Sequence, residues 1–280
     1  LRKRPTKKVN KKVAKKVTKK ATKKAAKKAP KKAPKKTAKT TKKKAKKVVA
    51  LPGLGNEVHL FNSLLELIRV TSAEMPDDIQ KVILEALARE EKNTTAEYAM
   101  NIIKANIELA KKKSQPICQD TGTVLFYVNH PKELDQIKFT KTLHKAVLAA
   151  TKKGYLRQNS VDSLTGENPG TNIGPGHPAI HFHQHNKSHL EVSLMLKGGG
   201  CENVGAQYSL PHNELGAGRD LAGVRKVILD AIQKAQGKGC GPGVLGVTIG
   251  GDRGAGYIHS KELLLRRLDD TNENKELAVL

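Results

Sequence analysis

Acidic residues are missing from the first 47 positions, which hold 25 Lys or Arg, although the 280-residue chain carries 26 Asp+Glu against 52 Lys+Arg and a formal net charge of +26. The rest of the chain therefore has 27 basic residues against 26 acidic ones, so the basicity belongs to one end and the remainder has the balance of an ordinary folded domain. Tryptophan is absent and aromatics make up only 3% of the chain. None falls in the basic stretch, which removes the stacking platforms that single-stranded nucleic acid needs. Cysteine is scarce too: Cys118, Cys201 and Cys240, an odd number 83 and 39 residues apart, fit no disulfide framework. They point to a reducing compartment, and the cytoplasm is the expected one. No run of about 18 apolar residues occurs, which argues against a membrane-spanning helix. The N-terminus has no apolar signal segment, and its Lys/Ala/Thr/Pro composition is unlike an Arg- and Ser-rich transit peptide. A start at Leu1 and an uncapped stop at Leu280 read as a fragment, incomplete at the C-terminus.

Residues 1–50 form one segment, a low-complexity cycle of KKV, KKA, KKT and KKAPKK. Without large apolar residues to offset ordering entropy, it is expected to be disordered when free. It is either a solubilising tail or a polycation that neutralises nucleic-acid phosphates without reading bases, through residues 1–47. In composition it resembles the Lys/Ala/Pro-rich tails of linker histones and bacterial histone-like proteins.

Residues 51–280 form the second segment, long enough to bury a substantial core without staples. Val58, Phe61, Leu64, Leu65 and Ile68 recur with helical spacing. A second helix is predicted over 76–90, with Pro76 and two Asp in its first turn, and a third after Thr94, which with Glu97 makes a capping-box pattern. Strand-like runs follow at 123–129, 179–183 and 190–196, helices near 139–153 and 219–236, and an apolar run at 244–249. The class is α/β: a helical front followed by a mixed sheet packed with helices, preceded by the Lys-rich tail.

Three Gly-rich or polar segments interrupt these elements: PICQDTG at 116–122, KGGGCEN at 197–203 and GKGCGPGVLGVTIGG at 237–251. Each holds one cysteine, in a turn where a thiolate can project into a cleft, which suits function as well as packing. His181, His183 and His185 share a strand face, but HFHQH runs out towards a polar turn, which weakens a metal-site reading.

PICQDTG, the KGGG-x-EN segment, Cys-x-Pro followed by GVLGVTIGG, and KELLLRRLD resemble the alpha, or N-terminal, part of the iron-sulfur-dependent fumarate hydratases. The alpha subunits of L(+)-tartrate dehydratases share the pattern. The resemblance runs from about Asn56 to Leu280, in order and spacing, and leaves the Lys-rich tail untouched.

The resemblance implies a [4Fe-4S] cluster held by three thiolates, leaving one iron to act as a Lewis acid in the reversible hydration of fumarate to malate. Cys118 and Cys240 would be two ligands, with the third expected beyond Leu280. Cys201 stands where the family usually has Ser and reads as a small turn residue. Asp120 would transfer the proton, with Gln119 beside it. Arg157, in GYLRQNS, would grip a substrate carboxylate. Lys197 would add positive charge, and the backbone around Gly198, Gly199 and Gly200 could form an anion-binding nest. A turn-capping Asp, a surface Arg and a plain tight loop are the ordinary alternatives. His177 departs from the family's TGDNxPAxIH pattern. The complete site also draws on a beta-type subunit or domain. Tartrate or another 2-hydroxydicarboxylate is the alternative substrate, and a histone-like nucleic-acid-binding protein with an inactive hydratase-like domain is the alternative class.

Overall fold

The computed structural model describes residues 56–239 and 241–280. The tail and Cys240, with what was expected of them, lie outside these residues. The front is three helices. α1 (Glu57–Ala73) is capped by Asn56, whose side chain accepts the N–H groups of Val58 and His59. α2 (Asp77–Arg89) begins after Pro76 with Asp77 and Asp78 against the positive end of its dipole. α3 (Thr95–Lys113) starts at Thr94, whose hydroxyl accepts the Glu97 N–H, and ends on Lys111, Lys112 and Lys113. The Glu97 carboxylate accepts the N–H of Asn93 at 2.7 Å, one residue upstream of the ordinary capping-box partner.

The sheet has three strands in the order β2-β1-β3. β1 (Thr123–Pro131) lies in the middle, pairs parallel with β2 (Ala179–His185) and antiparallel with β3 (Glu191–Lys197). α4 (Gln136–Lys152), capped by Asp135, lies between β1 and β2 in the chain and so forms part of the crossover that a parallel pair requires. Residues 186–190 then pass the end of β1, so that β2 and β3 flank it. Being central, β1 is buried on both faces, which explains its near-continuous apolar sequence TVLFYVNHP.

Val124, Phe126 and Val128 of β1 meet Leu64 and Ile68 of α1, Phe139, Leu143, Ala146, Val147 and Ala150 of α4, and Leu194 of β3 in the main core. Each large side chain buried here contributes about 1.5–3 kcal/mol relative to exposure. A smaller cluster of Ile83, Met100 and Ile107 joins α2 to α3, and Ile117 packs against it.

The C-terminal part holds α5 (Gly199–Asn203), α6 (Leu221–Ala235), α7 (Arg253–Glu262), a 3-10 turn (Leu263–Leu265) and α8 (Lys275–Ala278). One expectation is corrected here. KGGGCEN is not purely a turn, since α5 begins within it and contains Cys201. Over the apolar run at 244–249 no strand forms among the described residues, and Val244, Leu245, Val247 and Ile249 remain 40–53% exposed. This run lines a cavity of about 1890 Å³ with α6 and α7 that reaches Met195 and Lys197 at the end of β3. No helix among the described residues is long and apolar enough to cross a membrane.

Candidate active site

The segment 116–122 leaves α3 at Ser114, which takes a left-handed conformation, and is fixed one residue before its cysteine. Ile117 donates its N–H to Ser72 O at 3.0 Å and its C=O accepts the Asn106 amide at 2.6 Å. Cys118 follows, half-buried, its thiol 3.6 Å from Gln119 Oε1, a weak contact that leaves the sulfur available as a soft ligand. Gln119 is exposed. Asp120 turns towards the end of β3, where Oδ2 accepts the Gly199 N–H at 2.8 Å. The amide expected in an anion-binding nest is thus held by a carboxylate of the chain itself.

Glycine permits this convergence. Gly122 has φ +70°, and a Cβ there would overlap the Lys197 carbonyl across the β1–β3 pair. Gly200 lies so close to the 237–239 segment that a Cβ would sit 3.1 Å from Lys238 O. Cys201 Sγ is 3.7 Å from the corresponding position on Gly239. All three Gly-rich segments therefore meet at one end of the sheet, bringing Cys118, Asp120, Gly199, Gly200 and Cys201 into one neighbourhood, with Gly239 immediately before Cys240.

Lys197 lies beside them but does not offer a free charge. Its side chain is only 14% exposed, with Nζ 3.8 Å from Glu202 Oε2, while Lys261 bonds the other oxygen of the same carboxylate. Arg157 is exposed, but its backbone is tightly held: its N–H donates to Thr121 Oγ1 at 3.0 Å and its C=O accepts the Asn172 amide at 2.7 Å. Sequence reading passed over Thr121, Asn159 and Asn172. The signal for Asn172 was its residue type alone, since Asn tolerates the left-handed region it occupies at φ +57°.

The three histidines of β2 do not form a common site. The His181 ring stacks on Tyr127, with centroids 4.9 Å apart. Burial, with Glu262 and Glu202 near, pushes the Tyr127 phenol above its ordinary value. His183 Nε2 lies 3.0 Å from Glu262 Oε1, close enough for an ion pair though poorly angled for a hydrogen bond. Among the described residues, His185 comes near two further donor groups, those of His189 and Glu191, at the end of the sheet away from Cys118. There, Nδ1 of His185 accepts the Lys187 N–H, and both His189 and Lys187 reach the Glu191 carboxylate. These contacts describe an ion-paired turn remote from the cysteines.

A family model for fumarate hydratase (fumerase) matches residues 62–280. The chain belongs to the fumarate hydratase family. It is 50% identical over 224 residues to a provisionally named class I fumarate hydratase of Geobacillus stearothermophilus, covering 79% of this chain and 44% of that protein. It is 31% identical over 225 residues to a provisionally named L(+)-tartrate dehydratase subunit alpha of Methanocaldococcus jannaschii, covering 78% of this chain and 76% of that one. With the L(+)-tartrate dehydratase subunit alpha of Escherichia coli K12, identity is 26% over 231 residues, 80% of this chain and 74% of the other. The chain thus spans less than half the length of the Geobacillus relative.

Within the fumarate hydratase family match lie all the proposed site residues, and none of residues 1–61 is included. The geometry adds what motifs do not contain: the Asp120 carboxylate is anchored by a backbone amide, and the Arg157 loop is anchored by the residue directly after Asp120.

Proposed function

We propose that this chain supplies the alpha-type part of a hydro-lyase that adds water reversibly to fumarate, giving malate. The observation that carries this reading is the bond from Gly199 N–H to Asp120 Oδ2, which locks the CQDTG and KGGG segments together beside Cys118. The 50% identity to a protein named as a fumarate hydratase supports fumarate as the substrate. Tartrate is second, favoured by the alpha-subunit relatives at 31% and 26% identity. Those subunit names also support a beta-type partner that completes the site.

Cys118 and Cys240, with a further thiolate from outside this sequence, would hold the [4Fe-4S] cluster; the half-buried, weakly bonded Cys118 thiol is of the right chemistry. When bound, the cluster supplies Lewis acidity towards the substrate oxygen. Asp120 transfers the proton at the alkene carbon that does not receive hydroxide, delivering it in hydration and removing it in dehydration. Its anchored Oδ2 fixes the direction from which the other oxygen approaches. Arg157 holds a substrate carboxylate by paired N–H donors, while Gln119, exposed beside Cys118, contacts the bound molecule.

The test is anaerobic assembly of the natural-length protein with its beta-type part, followed by fumarate loss read as alkene absorbance. Asp120→Asn keeps an oxygen for the Gly199 N–H but cannot transfer the proton, so kcat should fall about 10²–10⁴-fold with an unchanged unfolding midpoint. Activity within a few-fold of the parent sinks the assignment of Asp120. Conversion of tartrate in preference to fumarate would move the substrate to the second reading.

A further inference from the structure

Four side chains, the buried Thr121, Thr151 and Asn172 and the exposed Asn159, form a polar chain beside the proposed site. Asn172 is 1% exposed and uses its whole amide: Oδ1 accepts the N–H groups of Asn159 and Ser160 at 3.2 and 3.1 Å, while Nδ2 donates to Thr151 Oγ1 at 3.1 Å and Arg157 O at 2.7 Å. Thr151 is in the last turn of α4, and its hydroxyl donates back to Val147 O at 2.9 Å. Asn159 Oδ1 accepts both the N–H and the hydroxyl of Thr121, at 3.2 and 2.8 Å. The Thr121 hydroxyl oxygen in turn accepts the Arg157 N–H at 3.0 Å.

Arg157 is therefore gripped at both of its backbone polar groups, by Thr121 on one side and Asn172 on the other. Thr121 is also the residue after Asp120, so a single hydroxyl ties the loop carrying the guanidinium to the loop carrying the carboxylate. The hydroxyl has one proton and spends it on Asn159, which aims its lone pairs at Arg157, so the arrangement is directional. A largely buried network of this kind has few alternative arrangements, since a broken member leaves unpaired polar groups.

We infer that Thr121 and Asn172 are positioning residues that set Arg157 relative to Asp120, and thereby fix where a dicarboxylate's far carboxylate rests while its alkene faces the proton-transfer group. This inference rests on the function proposed above. It makes Thr121 matter to substrate binding without touching substrate, because a small misplacement of a carboxylate clamp is felt throughout the bound molecule.

The test uses the assembled holoenzyme and fumarate as the probe. Thr121→Val, of nearly the same shape without the hydroxyl, should raise KM about tenfold while kcat falls by less than about threefold. Thr121→Ser, which restores the hydroxyl, should return KM to within about twofold of the parent. Asn172→Asp, which keeps shape and tolerates the backbone but loses two donors, should raise KM in the same way. Arg157→Lys should raise KM alone, and adding Thr121→Val to it should raise KM by less than about twofold more, because the hydroxyl acts through that arginine. Should Thr121→Val fail to fold, Asn159→Ala, which frees the hydroxyl at an exposed residue, must give the same rise. An Arg157-dependent KM that is indifferent to Thr121 and Asn172 overturns the inference, as do effects that add in full to Arg157→Lys. An inactive parent, or a KM indifferent to Arg157 itself, overturns the proposed function instead.

Discussion

Gly122 ties the residue scale to the site, because it sits between Asp120 and β1, has φ +70°, and leaves no space between itself and the Lys197 carbonyl. A side chain there meets two penalties at once, a left-handed backbone and an overlap with main chain that cannot rotate away. Gly122→Ala should therefore cost at least about 2 kcal/mol of stability, measured by denaturant unfolding. The same change should separate Asp120 from the Gly199 N–H, raising the exchange of that amide. Gly154, also at positive φ but with nothing within 4 Å of its added Cβ, is the control: strain without overlap should cost less. Equal losses at both positions would show that close packing across β1 and β3 contributes nothing. At this scale the sequence was a good guide to residue type and a poor one to partners. CQDTG marked Cys118 and Asp120, but that Gly199 serves Asp120 depends on segments brought together from 79 residues apart.

Among the described residues, the hydrogen bond spanning the longest stretch of sequence joins α2 to the C-terminal part: Asp78 Oδ2 accepts the Leu268 N–H at 2.8 Å. That bond, followed by desolvation in the opposite sense and a weaker pull from Arg267, holds the Asp78 carboxyl below its ordinary value. A depressed native pKa contributes stability that is fully present above the unfolded value, about 3.9, and disappears as pH falls through the native value. The gap in unfolding midpoint between parent and Asp78→Ala should thus hold steady from pH 7 to about 5 and narrow below about 4. A gap that persists undiminished at the lowest pH means the effect is packing rather than charge. Most elements were readable because each had its own period and cap: Thr94, Asp135 and Asp220 all accept the N–H three residues on. α5 was not, since its two glycines disfavour a helix that is held here by tertiary contact. Nor was the fate of 244–249, because an apolar run becomes a strand only where another edge receives its hydrogen bonds. Sheet order and register were equally silent: period 2 gave the faces of β2 and β3 but not their places on either side of β1.

At the scale of the whole molecule the dominant quantity is charge, and it is concentrated in residues that the family match excludes. The chain carries +26, of which residues 1–47 supply 25 positive charges and no negative ones. Binding of such a segment to a duplex is governed by released counterions, with log K falling by about 0.9 per unit of log salt for every phosphate neutralised, so even ten contacts give a slope near −9. Removing residues 1–47 leaves a net charge of +1, and this truncated chain should pass through a double-stranded DNA column at about 0.1 M salt while the parent is retained well above it. On the function proposed above, the assembled truncated enzyme should hydrate fumarate at a rate within about twofold of the parent, since charge outside the family match changes encounter rather than chemistry. A truncated chain that still binds DNA would place the basic surface within residues 48–280. Loss of hydration with the tail would instead mean that these lysines act at the site, gathering a dianionic substrate whose rate of arrival then falls steeply with added salt.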